Sequence, residues 1–321
     1  MNGAYLGFDI GGSKCAVSLG AVSGGSARIT DRRAFATPPR WRGAVEGMFL
    51  AAEDLIRTHA CALVAAGISC GDPLDAPAGI IQAPPNLPDW VDVPIVEMAR
   101  ARFNIPAFLE NDANACALAE WRWGAGRGSD NVAFLTFGTG MGAGLILNGK
   151  LYRGASGSAG ELGHIRLAPF GPSGYGKEGS FEGFCSGGGI AQLAGIIYRR
   201  AVQRGYPLPE GMDISRPLSA RETASAARSG DKAALEVFET CGRMLGRGLA
   251  ILIDLLNPEK IIIGSIYTRC EDLLAQYMME EAARECLPRS LKAVSIVPAM
   301  LGDAIGDYAA LCVAEYGLSR S

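Results

Sequence analysis

A glycine-rich segment follows the first apolar run of the chain and carries groups that can bind phosphate. The run "YLGFDI" ends in Asp9 and Ile10, and "GGSK" then leads to a second apolar run, "CAVSLG". Glycines let backbone N–H groups crowd around an anion, and serine and lysine side chains add donors. A plain hairpin also needs a turn, which Gly11-Gly12 would provide. This segment alone therefore leaves a structural hairpin and a ligand-binding loop both open.

The same plan recurs in the second half of the chain. The segment "FLTFGTGMGAGLIL" again places glycines between two apolar strands. A strand follows these glycines, whereas the dinucleotide-binding motif requires the N-terminus of a helix at the pyrophosphate. Two related hairpins, one preceded by Asp9 and both carrying a hydroxyl residue, favour a nucleotide-binding cleft with one hairpin on each side.

Asp112 is a second residue whose position suggests chemistry. It stands between the predicted strand "AFLEN" and the predicted helix "ANACALAEWRW". A carboxylate there can point into a cleft as a proton acceptor, and it can equally cap the helix, because aspartate is a favoured cap residue. The spacing supports the two interpretations equally. If Asp112 is the base, we expect the helix N-terminus to keep it ionised.

The elements that must position these residues alternate along the chain. Apolar residues at strand and helix spacing predict strands, a helix, a strand and a helix, and then the same order again. This order is typical of an α/β protein whose second half repeats the first. The length of 321 residues allows two such domains, or one large α/β domain with a cleft.

Composition and charge exclude several classes of protein. The net charge of −3 gives no basic footprint for nucleic acid, so we expect no nucleic-acid partner. No apolar run is long enough to span a bilayer, and the first residues do not resemble a signal peptide, so we expect no membrane partner. The nine cysteines are scattered and form no CxxC pair, which indicates reduced thiols and a cytoplasmic location.

Several segments together resemble the ROK family (repressors, open reading frames and sugar kinases) of the actin-like ATPase superfamily. These segments are "DIGGSK", "ENDANACALAEW", "FGTGMGAGLILNGKLYRGASGSAGELGH", "PEKIIIGS" and "LGDAIGDYAA". The resemblance implies two actin-like (ribonuclease H-like) α/β domains flanking a nucleotide and sugar cleft. We expect residues 1–115 with 302–321 to form the smaller domain and residues 116–301 the larger one. The family's repressors carry an N-terminal helix-turn-helix extension, and the first strand here begins near residue 4, so we expect a kinase.

The activity that the resemblance implies is phosphorylation of a hexose at its 6-hydroxyl with ATP and Mg²⁺. Glucose is the expected acceptor, and N-acetylmannosamine, N-acetylglucosamine, fructose and allose remain alternatives. A sugar-sensing protein without turnover and an actin-like assembly protein are the rival classes. We also expect a homo-oligomer, namely a dimer.

The resemblance also implies roles for single residues. Asp112 would be the general base, and Asp9 would organise Mg²⁺ mostly through water. The sugar-binding residues would be Asn86, Asn111, Asp112, Glu161, His164 and Glu182. The nucleotide-binding residues would be Gly11, Gly12, Ser13, Lys14, Gly138, Thr139, Gly140, Gly264 and Ser265.

One departure from the family concerns zinc. The family commonly has a zinc knuckle, C-x-C-G-x-x-G-C-x-E, just after the histidine. With Glu182 as the anchor, its cysteine positions are occupied by Ser173, Tyr175 and Ser180. Hydroxyls are poor zinc ligands compared with thiolates, so we expect no zinc and a His164 ring oriented by a backbone carbonyl or a carboxylate.

Two further side chains receive structural interpretations. His59 lies in a predicted amphipathic helix, and we interpret it as structural. Trp90 lies in the Pro-rich loop "APPNLPDW", and we expect it to pack against other residues, with stacking on a sugar as the alternative.

Overall fold

The computed structural model describes residues 3–209 and 212–320 and has the predicted α/β character. The strands are β1 Ala4–Ile10, β2 Lys14–Ser23, β3 Ser26–Ala36, β4 Leu63–Cys70, β5 Leu74–Asp75, β6 Ile80–Ile81, β7 Ala107–Asn111, β8 Val132–Phe137, β9 Met141–Leu147, β10 Lys150–Tyr152, β11 Ser173–Gly174, β12 Lys177–Glu178, β13 Lys260–Ile263 and β14 Ser295–Pro298. The helices are α1 Trp41–His59, α2 Ile95–Phe103, α3 Asp112–Trp123, α4 Phe181–Phe184, α5 Gly187–Gln203, α6 Ala220–Arg228, α7 Lys232–Leu256, α8 Ile266–Glu285, α9 Pro288–Ala293 and α10 Ile305–Leu318.

The first five-stranded sheet has the order β3-β2-β1-β4-β7. The first three strands are antiparallel, whereas β4 and β7 join parallel to β1. Strand β4 is buried over most of its length because it lies inside the sheet and helix α10 covers it. A Cβ atom at Gly67 would overlap the carbonyl oxygen of Ala310, so the glycine permits this close approach. The carboxyl ends of β1, β4 and β7 therefore meet at one edge.

The second five-stranded sheet has the order β10-β9-β8-β13-β14. Strand β13, with the sequence "KIII", pairs in parallel with both β8 and β14, and its three isoleucines are fully buried. A run of buried β-branched residues is typical of a parallel strand covered on both faces. The carboxyl ends of β8 and β13 lead directly to Gly138 and Gly264.

Two compact units divide the chain at places that differ from the predicted domain boundaries. The first unit contains the chain up to Ser129, residues 144–159 and the chain from Met300 onward, and the second contains residues 130–143 and 160–299. The predicted boundary at residue 115 falls inside α3. That helix stays whole in the first unit because it packs on α10 and because buried Glu120 binds the backbone of Met300.

Two further features concern the membrane and the cysteines. No helix in the described ranges is both long and apolar enough to cross a bilayer. All nine cysteines are free thiols.

Candidate active site

The first glycine turn connects β1 to β2 and is fixed from one side. The backbone N–H of Gly11 donates to the Lys14 carbonyl at 3.0 Å. The Thr37 hydroxyl donates to the Gly11 carbonyl at 2.6 Å, and the Thr37 N–H donates to the Ser13 carbonyl at 3.1 Å. Gly12, Ser13 and Lys14 are exposed to solvent. The turn is thus rigid, and its exposed residues are accessible to an anion.

Asn86 lies directly against this turn, although the two are distant in sequence. A Cβ atom at Gly12 would come within 2.6 Å of the Asn86 Cβ and 2.9 Å of its carbonyl oxygen. Only glycine allows this approach. The structure therefore brings together two residues that were predicted separately, one for phosphate and one for sugar.

Asp9 is the last residue but one of β1 and lies beside the N-terminus of α10. A Cβ atom at Gly306 would lie 2.6 Å from Asp9 Oδ2, so the helix passes very close to the carboxylate. Burial, followed by the negative charges of Asp307 and Asp112, raises the pKa of Asp9 to about 6, although Lys14 and Arg32 oppose the shift.

The surroundings of Asp9 fit a magnesium ion. An excess of negative charge around a buried carboxylate is what a bound cation would neutralise. No group of three or more histidine, cysteine or carboxylate ligands occurs among residues 3–209 and 212–320. This is compatible with Mg²⁺, which usually keeps several waters and uses few carboxylates.

Asn111, and not Asp112, is the cap residue of α3. Its Oδ1 accepts hydrogen bonds from the backbone N–H groups of Ala113 at 2.9 Å and Asn114 at 3.1 Å. Asp112 is the first residue of the helix, and its Oδ1 also accepts from Ala113 at 2.8 Å. Asn111, which we predicted only as a sugar ligand, is thus the main cap of α3, a role that we had considered for Asp112.

The environment of Asp112 has two opposing effects on its ionisation. Its side chain is exposed to solvent, yet protein atoms crowd the carboxylate. The loss of hydration that these atoms cause raises the pKa of Asp112 overall, whereas hydrogen bonds from the N–H groups of Ala113 and Asp112 itself and from Asn111 lower it. We expected the helix N-terminus to keep Asp112 ionised. Its hydrogen bonds do lower the pKa, but this effect is weaker than the loss of hydration.

Sequence reasoning did not find Asp72, which lies next to this pair. The Asn111 Nδ2 donates to Asp72 Oδ2 at 2.5 Å. Asp72 follows the end of β4, and Cys70 at that end pairs with Asn111 at the end of β7. The available signal was the polar residue just after "GISCG", because parallel strands bring their carboxyl ends together.

A buried ion pair supports the same strand end. Glu110 is 2% exposed and accepts hydrogen bonds from Arg153 at 2.8 Å and from the Asn114 amide at 3.0 Å. A buried carboxylate needs such partners to remain charged. These contacts hold the chain rigidly on either side of Asn111 and Asp112.

In the second unit, the glycine turn after β8 is closed and supported by Glu182. The Gly138 N–H donates to the Gly140 carbonyl at 3.1 Å. Glu182 Oε2 accepts from the Met141 N–H at 2.9 Å, and a Cβ atom at Gly140 would lie 2.7 Å from the same oxygen. Thr139 is exposed at the tip. Glu182, predicted as a sugar ligand, is thus in contact with the turn that was predicted for phosphate.

Two helix starts converge on this second turn. The Gly187 N–H donates to the Gly138 carbonyl at 2.8 Å, and a Cβ atom at Gly138 would lie 3.5 Å from Ser265 Oγ. Ser265 precedes α8 with φ 57° and ψ −109°, a conformation that is strained for a residue other than glycine. Buried Gly264 precedes it. The N-terminus of a helix attracts anions, so Gly187 and Gly188 at the start of α5 are further candidates, indicated by "CSGGG" but not predicted.

Glu161 precedes the short 3-10 turn Leu162–His164, which ends at His164, and both side chains are exposed. The His164 ring meets the ring of Tyr175 edge-on, with 6.3 Å between centroids. The ring is therefore in contact with an aromatic side chain, whereas we expected a carbonyl or a carboxylate to orient it. Tyr175 occupies one of the positions that are cysteines in the family's zinc knuckle.

Hydrogen bonds hold the segment that corresponds to the knuckle. The Gln192 side chain accepts from the Ser173 N–H at 2.9 Å and donates to the Ser173 carbonyl at 2.8 Å. Ser180 Oγ accepts from the Gly183 N–H at 3.1 Å and so caps α4. Two of the positions predicted to replace cysteines thus have structural contacts. The absence of zinc stays a prediction.

The two structural interpretations agree with the contacts. His59 ends α1, and its Nε2 lies 3.0 Å from Asp31 Oδ2. Trp90 is 1% exposed and packs in the core of the first unit. Neither residue lies among the predicted ligands.

Comparison with known proteins supports the resemblance inferred from the motifs. The sequence profile of the ROK family matches residues 5–315. The glucokinase of Streptomyces coelicolor is 31% identical over 314 residues, which cover 95% of each chain. The crystal structure of a ROK family glucokinase from Streptomyces griseus, in complex with glucose and AMPPNP, is 32% identical with a TM-score of 0.78 and covers 98% of this chain and 100% of its own.

Repressors are also similar. The DNA-binding transcriptional repressor Mlc of Escherichia coli is 29% identical over 224 residues, which cover 70% of this chain and 53% of the repressor. The match of the profile over nearly the whole chain, together with the likeness to the glucokinases, confirms the predicted resemblance and the actin-like α/β fold class. The chain belongs to the ROK family.

Proposed function

We propose that this chain is an ATP- and Mg²⁺-dependent hexose kinase that phosphorylates glucose at the 6-hydroxyl. A sugar kinase is supported by the family and by full-length similarity to glucokinases. The observation that carries the proposal is the pair Asn111–Asp112 at the carboxyl edge of the first sheet. There the amide caps α3, while the neighbouring carboxylate remains accessible to solvent and has a raised pKa.

Asp112 acts as the general base in this proposal. It accepts the proton of the sugar hydroxyl while the hydroxyl oxygen bonds to the γ-phosphorus and the bond to the bridging oxygen of ADP breaks. A base whose pKa is raised toward the working pH holds the proton more readily than an ordinary carboxylate does. Phosphoryl transfer otherwise depends on positioning and on charge stabilisation.

We assign the phosphates of the nucleotide to two glycine turns, a lysine and an aspartate. The turn of Gly11, Gly12 and Ser13 and the turn of Gly138, Thr139 and Gly140 offer backbone donors for phosphate oxygens. Lys14 adds a cation, and Asp9 is the residue that would hold Mg²⁺, mostly through water. When bound, Mg²⁺ supplies positive charge at the phosphate oxygens. Gly264 and Ser265 are proposed for the adenosine.

The sugar is held by carboxylates, amides and a histidine. Asn86, Asn111, Glu161, His164 and Glu182 form this set, because charged acceptors bind hydroxyls more strongly than neutral ones do. The contact of Glu182 with the Met141 N–H links this set to the second glycine turn. The same groups suit N-acetylmannosamine, N-acetylglucosamine, fructose and allose, so acceptor choice has to be measured.

A coupled assay of ADP release over a panel of hexoses and N-acetyl hexosamines tests the proposal. Release that requires both Mg²⁺ and glucose, with the highest kcat/KM for glucose, supports it. Binding of sugar without release of ADP would identify a sensor. The similarity to a repressor makes this outcome worth testing. Hydrolysis of ATP that does not depend on sugar would identify an actin-like assembly protein instead.

A further inference from the structure

We propose that Asp72 is a further acceptor-recognition residue, which fixes the Asn111 amide and forms the acidic wall of a cavity that selects neutral sugars over sugar acids. This inference rests on the proposed sugar-kinase function. It concerns a residue that neither the motifs nor the comparisons assign. All of the groups it uses lie within the first unit.

The Asn111 side chain is held in one orientation. Its Oδ1 accepts from two backbone N–H groups of α3, and its Nδ2 donates to Asp72 Oδ2 at 2.5 Å. Rotating the amide by half a turn would put its oxygen against the Asp72 carboxylate and its NH₂ group against the N–H donors of the helix. Both contacts would be repulsive, so Asp72 and the helix together hold one amide orientation.

This orientation leaves one hydrogen-bond donor of Asn111 for a ligand. The two acceptor sites of Asn111 Oδ1 are used by the helix, and one of its two amide hydrogens is used by Asp72. The remaining amide hydrogen is a donor in a fixed position. A polar group that is held in place before the ligand arrives binds with a smaller entropy cost. Asp72 thereby fixes the direction in which the Asn111 amide donates to a sugar oxygen.

A cavity begins at Asp72 and Asn111. It has a volume of about 370 Å³ and is lined by both Asp72 and Asn111, together with Gln82, Arg153 and Ser156. This volume lies within the range of small-molecule sites. A Cβ atom at Gly71, the neighbour of Asp72, would lie 3.9 Å from Asp112 Oδ2. The proposed base is therefore adjacent to the residues at which the cavity begins.

The lining of this cavity carries more acidic than basic side chains. The cavity has three carboxylates, from Asp72, Asp75 and Glu110, against one guanidinium, that of Arg153. Arg153 is bound to Glu110, so its charge is already matched. Carboxylates accept the hydroxyl protons of a sugar, but a carboxylate on the ligand would meet like charge here. Like charges placed together are a means of rejecting the wrong ligand.

The test compares Asp72→Asn with the wild type in sugar binding and in kinetics. Calorimetry gives the Kd for glucose and for gluconate, an acid that keeps the 6-hydroxyl, and steady-state assays give KM for glucose and ATP. We expect Asp72→Asn to raise the glucose Kd and KM about tenfold and to leave the ATP KM unchanged. We expect the affinity for gluconate relative to glucose to rise at least tenfold, because a negative charge is removed. Asp130→Asn, an exposed aspartate outside the cavity, is the control for the same change of net charge.

The outcomes separate this inference from the proposed function. A wild type that binds glucose without phosphorylating it contradicts the kinase, while the calorimetric comparison still decides the role of Asp72. An Asp72→Asn variant whose glucose Kd and whose preference against gluconate equal those of Asp130→Asn overturns the inference, even in an active kinase. Asp72→Ala adds a second check, since it should show the same change of preference. A wild type that binds no hexose overturns both proposals.

Discussion

Asp9 is a carboxylate whose charge works against folding when no cation is bound. Its pKa of about 6 in the folded chain lies above the ordinary value of 3.8, chiefly because of burial and then because of Asp307 and Asp112. The folded state therefore binds more protons than the unfolded state between these two values. It follows that stability falls as pH rises from about 4 to about 6 and then levels off.

Asp9→Asn should accordingly stabilise the metal-free protein at neutral pH. A shift of this size corresponds to roughly 3 kcal/mol at pH 7.5, and most of the gain should be absent at pH 4.5. Denaturant unfolding at the two pH values, without Mg²⁺, measures the difference. An equal gain in stability at both pH values would show that the gain does not come from removing the charge of Asp9. The same variant should lose activity, since it removes the proposed Mg²⁺ residue.

Glu161 gives a second prediction at this scale. Glu161→Gln should raise the sugar KM about tenfold and leave the ATP KM nearly unchanged, because a neutral acceptor binds hydroxyls less strongly than a carboxylate. Glu178→Gln, an exposed glutamate on β12, is the matched control. Steady-state kinetics with each substrate varied in turn gives both values. Equal losses for sugar and ATP would assign Glu161 a role in the fold.

At the scale of elements, helix α3 is tied to the chain segment before α10 by one buried carboxylate. Glu120 is fully buried, and its Oε1 accepts from the N–H groups of Met300 at 2.9 Å and Leu301 at 2.8 Å. Its Oε2 accepts from the Ala125 N–H at 2.7 Å. These contacts fix the chain where it enters the first unit again and where α3 ends.

Glu120→Gln should therefore be costly, because an amide turns an NH₂ group toward N–H donors that then lose their acceptor. We expect a loss of about 3 kcal/mol in the free energy of unfolding. Glu259 also accepts two backbone N–H groups, from Asp130 and Asn131, but it is exposed. Glu259→Gln should cost less than about 1 kcal/mol. Similar losses for both variants in urea unfolding would contradict the role given to burial.

The segment from Phe170 to Gly183 gives a prediction about metal removal. Ser173 and Ser180 there make hydrogen bonds, and Tyr175 packs against the His164 ring. A structural zinc site needs about four ligands, mostly thiolate and imidazole. Treatment with a zinc chelator should leave the melting temperature unchanged and, once Mg²⁺ is restored, activity unchanged as well. Elemental analysis that finds about one tightly bound zinc per chain would contradict this.

For the molecule as a whole, the sequence predicted those features that depend on residues close together in the chain. Both glycine turns lie between strands, as their apolar flanks indicated, and Trp90 and His59 have the structural roles expected. Long-range contacts were not predictable in the same way. The bond from Asn111 to Asp72 and the anchor at Glu120 depend on backbone segments that meet only after folding. Local pattern also could not separate Asn111 from Asp112 as the helix cap, because both residue types are favoured there.

The most direct measurement of the central claim is glucose-dependent ADP release by the wild type and by Asp112→Asn, with the glucose Kd measured on the same preparations. The amide keeps the shape of the side chain but cannot accept the hydroxyl proton. We expect Mg²⁺- and glucose-dependent release by the wild type and a fall in kcat of about 10²- to 10⁴-fold in the variant, with the glucose Kd changed little. A variant that keeps near-normal kcat, or a wild type that binds glucose and releases no ADP, would contradict it.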